Sequence, residues 1–299
     1  RNIAVASVVN FTSSFAMFHP ILALYLAEQL HSVFAVTLIY AVITFGSAVL
    51  EIPTGVIADR FGRCTSVVLS RFVDVLAVAL LAFGHTSLHF VLYGIAVAFT
   101  SALASGASDA LVFDTMLATD RHSEYQKISG RISALGTAGA AVASLLGGIC
   151  AAYSLRLPAL LTLIPFVVSA VVSLFYIEPP REQLTHEHKS HTRAAFRMIF
   201  GQKALLLLVA SSLIFDLTME PIYQLSQIFF EQNAIPVAMF GVITCVVMAL
   251  RSGGAFYGHN LTARLGQRTS LVLVIVLSLV LTWTATLLHG WIAAVPLML

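Results

Sequence analysis

Gly55-Val56-Ile57-Ala58-Asp59-Arg60-Phe61-Gly62-Arg63 sets two glycines, one carboxylate and two guanidinium groups between two long apolar runs, 34–58 and 65–84. A helix needs about 20 apolar residues to cross a bilayer core. Both flanking runs meet that length, so the charged stretch reads as a short connection at a membrane surface. Gly62 permits a tight turn, and Gly55 lets neighbouring helices approach closely. Asp59, Arg60 and Arg63 can form a charge cluster that clamps those helices together.

Working outward, the same reading gives apolar runs at 3–30, 87–113, 131–153, 157–177, 204–230, 236–260 and 269–288, and a further one begins near Trp291. The expectation is an all-α membrane protein with about nine and a half transmembrane helices in the 299 residues. In hydrocarbon every backbone polar group must pair internally, which leaves helices as the reading for runs of this length. Composition agrees: 59% of residues are hydrophobic and 10% charged, against about 25% charged in soluble domains. The formal net charge of +2 is too small to suggest nucleic acid. Cys64, Cys150 and Cys245 lie far apart, which fits neither a disulfide framework nor a zinc site. Because an apolar run begins at Arg1, the chain is expected to be cut at both ends.

Positive charge is one-sided. Arg60 and Arg63, then Arg121, Lys127 and Arg131, then Arg181, Lys189, Arg193, Arg197 and Lys203, and finally Arg264 and Arg268, follow the even-numbered runs; the opposite loops hold Arg156. The positive-inside rule puts the even-numbered loops in the cytoplasm. The longest polar stretch, 178–203, opens with Glu178-Pro179-Pro180. It reads as a cytoplasmic linker between a six-helix unit at 1–177 and an incomplete one at 204–299. His186, His188 and His191 are read as solvated, and no metal or cofactor is implied. An internal repeat supports two units. His19-Pro20-Ile21 and Glu28-Gln29 return about 200 residues later as Glu220-Pro221-Ile222 and Glu231-Gln232, and Gly62 returns as Gly266.

The Gly55–Arg63 stretch, with Glu51-Ile52-Pro53-Thr54 before it, resembles the signature loop of the major facilitator superfamily. That resemblance implies two six-helix halves in the full protein, joined by the linker. The second copy is degraded, with Ala263 in place of Asp59 and Gln267 in place of Arg63, so the clamp is expected in the first half alone. Ser105 to Thr115 resembles a bacterial, drug-exporter-like branch. Gly139 to Gly148 is similar to the antiporter motif of proton-coupled exporters, except that Ala143 and Ser144 stand where that motif has glycine and proline. Small residues at this density also serve plain close packing.

Charges inside a bilayer cost about 2.5–3.5 kcal/mol on insertion scales, so each needs a reason. Asp216 and Glu220 lie one turn apart before Pro221, where mutual repulsion raises a carboxyl pKa; with Arg251 they are candidates for a proton or substrate cavity. Asn10 and His19 are the matching candidates in the first half. Arg71 and Asp74, spaced i, i+3, are expected to neutralise each other. Glu51, Asp109, Asp114 and Arg131 are candidates for an inner gate or brace, the acids meeting Arg121, Lys127 or Arg131.

The functional expectation is a monomeric secondary transporter in the cell membrane, the inner membrane of a bacterium, working by alternating access. The preferred form is proton-coupled efflux of small amphipathic compounds, supported by Phe11, Phe15, Phe18 and Phe215 on cavity helices. Coupled or facilitative uptake of a nutrient or metabolite is the alternative. A polytopic enzyme would need a nucleophile and base or a metal pair, and no HExxH or GxSxG is present. A receptor without flux is a third class.

Overall fold

A computed structural model describes residues 1–180, 222–250 and 266–287. The linker beyond Pro180, the start of the seventh run, and Asp216, Glu220 and Arg251 lie outside the described residues, as do Arg264 and the run beginning near Trp291.

The described residues form helices joined by short turns. In order these are α1 (Asn2–Ser13), α2 (Leu22–Leu30), α3 (Val33–Phe61), α4 (Arg63–Phe83), α5 (Ser87–Ala104), α6 (Ala107–Leu117), α7 (Tyr125–Ala151) and α8 (Leu157–Ser173). Then come α9 at 222–232, α10 (Val237–Leu250) and α11 (Gln267–Leu287). Among the described residues four stretches, Val33–Glu51, Arg63–Phe83, Ser87–Leu117 and His122–Ala151, are long and apolar enough to cross a membrane. In the bundle α3 and α4 both pack on α5, α4 also packs on α8, and α1 lies against α7 and α8.

Two expected spans are interrupted. The first is not one helix over 3–30. It stops at Ser13 and resumes through a 3-10 turn at His19–Ile21 before α2. Pro20 in that turn has no N–H to give and its ring crowds the carbonyl four residues back, which disfavours a continuous helix there. The freed backbone groups find partners: Met17 N–H donates to Thr162 Oγ1 at 3.0 Å. Gln227 on α9 accepts from Ala23 N–H at 2.7 Å and donates to the His19 carbonyl at 2.9 Å. Backbone polar groups inside a membrane require such replacement. The fourth span is broken at Ser105-Gly106, between α5 and α6, a Ser/Gly pair of the kind that commonly kinks helices.

The signature stretch is less of a loop than its charges suggest. Helix α3 continues through Pro53 to Phe61, and α4 begins at Arg63. The whole reversal falls on Gly62, with φ +104° and ψ 150°. That backbone region is essentially open to glycine alone. An added Cβ would also stand 3.0 Å from Glu178 Oε2. Gly62→Ala is therefore expected to cost of order 1–3 kcal/mol, read as a lower thermal unfolding midpoint in detergent; an unchanged midpoint removes the backbone argument. At Gly55 no close approach falls among the described residues: a Cβ there would meet nothing within 4 Å.

The repeat has a backbone counterpart. Gly266 also takes positive φ, +78°, directly before α11. After the two Glu-Gln pairs, His31 and Ala234 each adopt left-handed values, +50° and +57°. Both stretches therefore end their Glu-Gln helices in the same way.

Candidate functional site

At the arginine-rich end, three segments converge on the Gly62 turn. Arg63 Nη1 donates to the Ala110 carbonyl at 2.9 Å and pairs with Asp114 at the end of α6. Glu178, just past α8, accepts from the backbone N–H groups of Arg63 at 3.0 Å and Cys64 at 2.8 Å. These are orphan donors of the first turn of α4, and a carboxylate there also answers the positive end of the helix dipole. Asn2 completes the knot. Its Nδ2 donates to Thr115 Oγ1 at 3.0 Å and to the Ile177 carbonyl at 2.7 Å, and its Oδ1 accepts from Ile177 N–H at 3.0 Å. Asp114, expected in the inner brace, has a different partner. Asp114 meets Arg63, not Arg121, Lys127 or Arg131, while Arg121 turns to Glu124 at 2.8 Å. The i, i+3 neighbour lies within reach without crossing to another helix. Asp109 and Arg131 are exposed, and neither joins an ion pair among the described residues. Glu51 is likewise exposed on α3 and does not reach the basic cluster. The side chains of Asp59 and Arg60 lie outside the described ones.

Inside the bundle, Asn10 donates to the Ile132 carbonyl at 2.8 Å, tying α1 to α7. Close approach on α7 comes from its glycines. A Cβ at Gly139 would sit 2.7 Å from the Phe11 carbonyl oxygen, and one at Gly147 would sit 1.9 Å from that of Met17. A Cβ at Gly148 would be 2.6 Å from the Ala238 carbonyl oxygen and 2.8 Å from Gly241 N. Backbone therefore crosses backbone where α7 meets the broken first span and α10. Ser144, at the position of the motif's proline, is buried, and its hydroxyl has no hydrogen-bond partner among the described residues. Phe11 packs over Gly139, so one of the aromatics expected in the cavity is a packing residue.

The larger cavity, about 390 Å³, is lined by Ser13, His19, Tyr40, Arg71, Asp74, Tyr93, Thr100 and Ser101, with apolar walls including Phe18 and Phe166; Gln224 on α9 closes one side. Arg71 and Asp74 make the expected pair at 3.1 Å, with side chains 13% and 16% exposed. Arg71 also lines a smaller cavity, about 110 Å³, with Asn10, Asp109 and Tyr176. Asn10 and His19 thus each border a cavity containing Arg71. Sequence reasoning missed Gln224 and Gln227, polar residues within the apolar run 204–230, and Glu178, whose partners lie more than 110 positions away.

A multi-pass helical bundle with broken spans, a polar interior cavity and a charged knot at one end has the architecture of a membrane transporter. The chain belongs to the Major Facilitator Superfamily, whose family model matches residues 3–299. This is a family of transporters, not enzymes. An uncharacterized MFS-type transporter of Bacillus subtilis (strain 168), YxaM, is 24% identical over 201 residues, covering 64% of this chain and 49% of that protein. The chain thus spans about half the length of that curated relative. The nucleoside transporter NupG superposes with a TM-score of 0.81 at 11% identity, covering 100% of this chain and 77% of the other. A bacterial homologue of the human lysosomal transporter Spinster, inward-facing and unoccupied, gives 0.74 at 16%, covering 99% and 70%. A D-xylose-proton symporter gives 0.63 at 13%, covering 99% and 77%. At these identities the likeness is one of fold.

Proposed function

We infer that the full-length protein is a secondary transporter in which two helical halves, 1–177 and 204 onward, rock about the interior cavity, with the arginine-rich end and the linker 178–203 in the cytoplasm. The observation that carries this reading is the polar cavity, which holds an ion pair at membrane depth and is bordered by both stretches. Groups of that kind are tolerated in hydrocarbon where they face a wet pathway. Among the described residues the end opposite the arginines is closely packed. There Gly148 and Gly241 cross, Gln227 bridges to the first span, and Phe18 joins Phe230 and Phe240 in one apolar cluster. This packing corresponds to a state closed to the outside.

Between the two directions, coupled uptake of a small polar solute is the better fit. The cavity wall carries hydroxyl, phenol and charged groups, and the glycines that suggested an antiporter are occupied in helix crossings. Proton coupling is part of the proposal, because a carboxylate at membrane depth is a natural proton acceptor. Asp216 and Glu220 remain proposed contributors from the second half.

Proteoliposomes containing the full-length protein and an internal pH dye test this. Uridine, xylose, gluconate and ethidium are each added outside. Internal acidification on adding a polar solute is expected. Proton movement with ethidium alone, in the opposite sense, would establish efflux instead, and no proton movement with any of the four would remove proton coupling.

A further inference from the structure

We propose that Arg71 and Asp74 form an exchange site at which a singly charged organic anion, such as a monocarboxylate, binds together with one proton. This rests on the transport reading and names its substrate class.

The pair is held by a single contact, Arg71 Nη1 to Asp74 Oδ2, and Arg71 Nε donates to Ser70 Oγ at 3.2 Å. The other guanidinium N–H groups have no partner among the described residues, although guanidinium presents five donors. Arg71 borders both cavities, so its spare donors open into space. Such a fork suits bidentate capture of a carboxylate.

Charge balance selects the partner ion. The resting pair is neutral, as a site of low dielectric requires. If an anion takes Arg71, Asp74 is left as an uncompensated carboxylate. An O–H bond formed with a proton from water then restores neutrality: the Arg71–Asp74 contact breaks, the Arg71–anion contact forms, and Asp74 becomes a carboxylic acid. A neutral solute gains nothing from this exchange, and a dianion leaves the site negative. The volume, about 390 Å³, lies near the lower end of small-molecule sites, suited to a compound the size of a sugar acid.

Other groups facing the pair are Tyr40 from α3, Tyr93 and Thr100 from α5, and His19 across the cavity; Asp109 and Tyr176 stand on the far side of Arg71. The Thr100 hydroxyl stands at the Asp74 carboxylate. His19 and Asp109 are the competing proton carriers among them, and the variants separate them from Asp74.

Binding is measured on the full-length protein in detergent by thermal shift and by proton uptake in weakly buffered solution. The probes are gluconate, lactate and benzoate, with gluconamide and glucarate as the neutral and dianionic controls. At least one monocarboxylate is expected to raise the unfolding midpoint and take up one proton, its affinity falling about tenfold per pH unit once Asp74 ionises. Asp74→Asn mimics the protonated acid, so it should bind without proton uptake and with a flat pH profile. Adding Arg71→Gln to that variant keeps the site neutral, so folding survives, and should abolish binding. Equal shifts by gluconamide, no shift by any monocarboxylate, or a wild-type pH slope in Asp74→Asn would each overturn the proposal. None of these readouts depends on flux, so failed transport with intact binding would count against the transport reading alone.

Discussion

Gly147→Ala is expected to destabilise the protein by about 1–3 kcal/mol, the usual cost of overpacking, and to abolish transport. The added methyl would lie 1.9 Å from the Met17 carbonyl oxygen and 2.8 Å from its carbon. Backbone atoms cannot swing aside as a side chain can, so α7 must retreat from the broken first span. That retreat strains the Met17 N–H to Thr162 hydrogen bond, which stands in for the missing helical one. Gly130→Ala on the same helix is the internal control. Nothing described lies within 4 Å of its Cβ position, so helix propensity is the expected effect, a gain of about 0.5–1 kcal/mol. Thermal unfolding in detergent reads both. Equal midpoints for the two variants would show that the α7 crossing is looser than the geometry requires.

Asp114→Ala is expected to cost about 2 kcal/mol, between the 0–1 of an exposed ion pair and the 3–5 of a buried one, because the Arg63 and Asp114 side chains are 29% and 19% exposed. Much of that loss comes from stranding Arg63 beside the Ala110 carbonyl without its anion. Removing both partners should therefore be milder than the sum of the single changes, and a double-mutant cycle measures the difference. A purely additive cycle would mean that the two residues act apart. Glu178 keeps its hold on α4 in all these variants, so the turn itself should persist.

The long spans were legible because a bilayer sets their length. Arg71 and Asp74 were legible as a pair because helical spacing alone brings them together. Gly62 announced its turn because a chain reversal between two helices within one residue requires a backbone that glycine supplies. The brace was half legible: the residue types at its end of the molecule were right, yet Asp114 found Arg63 and not the nearer basic residues, a pairing fixed by how α4 packs on α6. Gly55 stands apart, a small residue with nothing described within 4 Å of its Cβ position. Pro20 was visible in the sequence, but what it breaks, and that Gln227 repairs the break, depends on contacts across 200 or more positions.

In the proposed transport cycle that repair bears on how the closed end comes apart. If α9 withdraws, the Ala23 amide and the His19 carbonyl lose Gln227 together, and the groups it served need replacement partners. Bulk solvent has to enter the gap as it forms. Separation and hydration are consequently one event, and a parted but dry intermediate is too costly to accumulate.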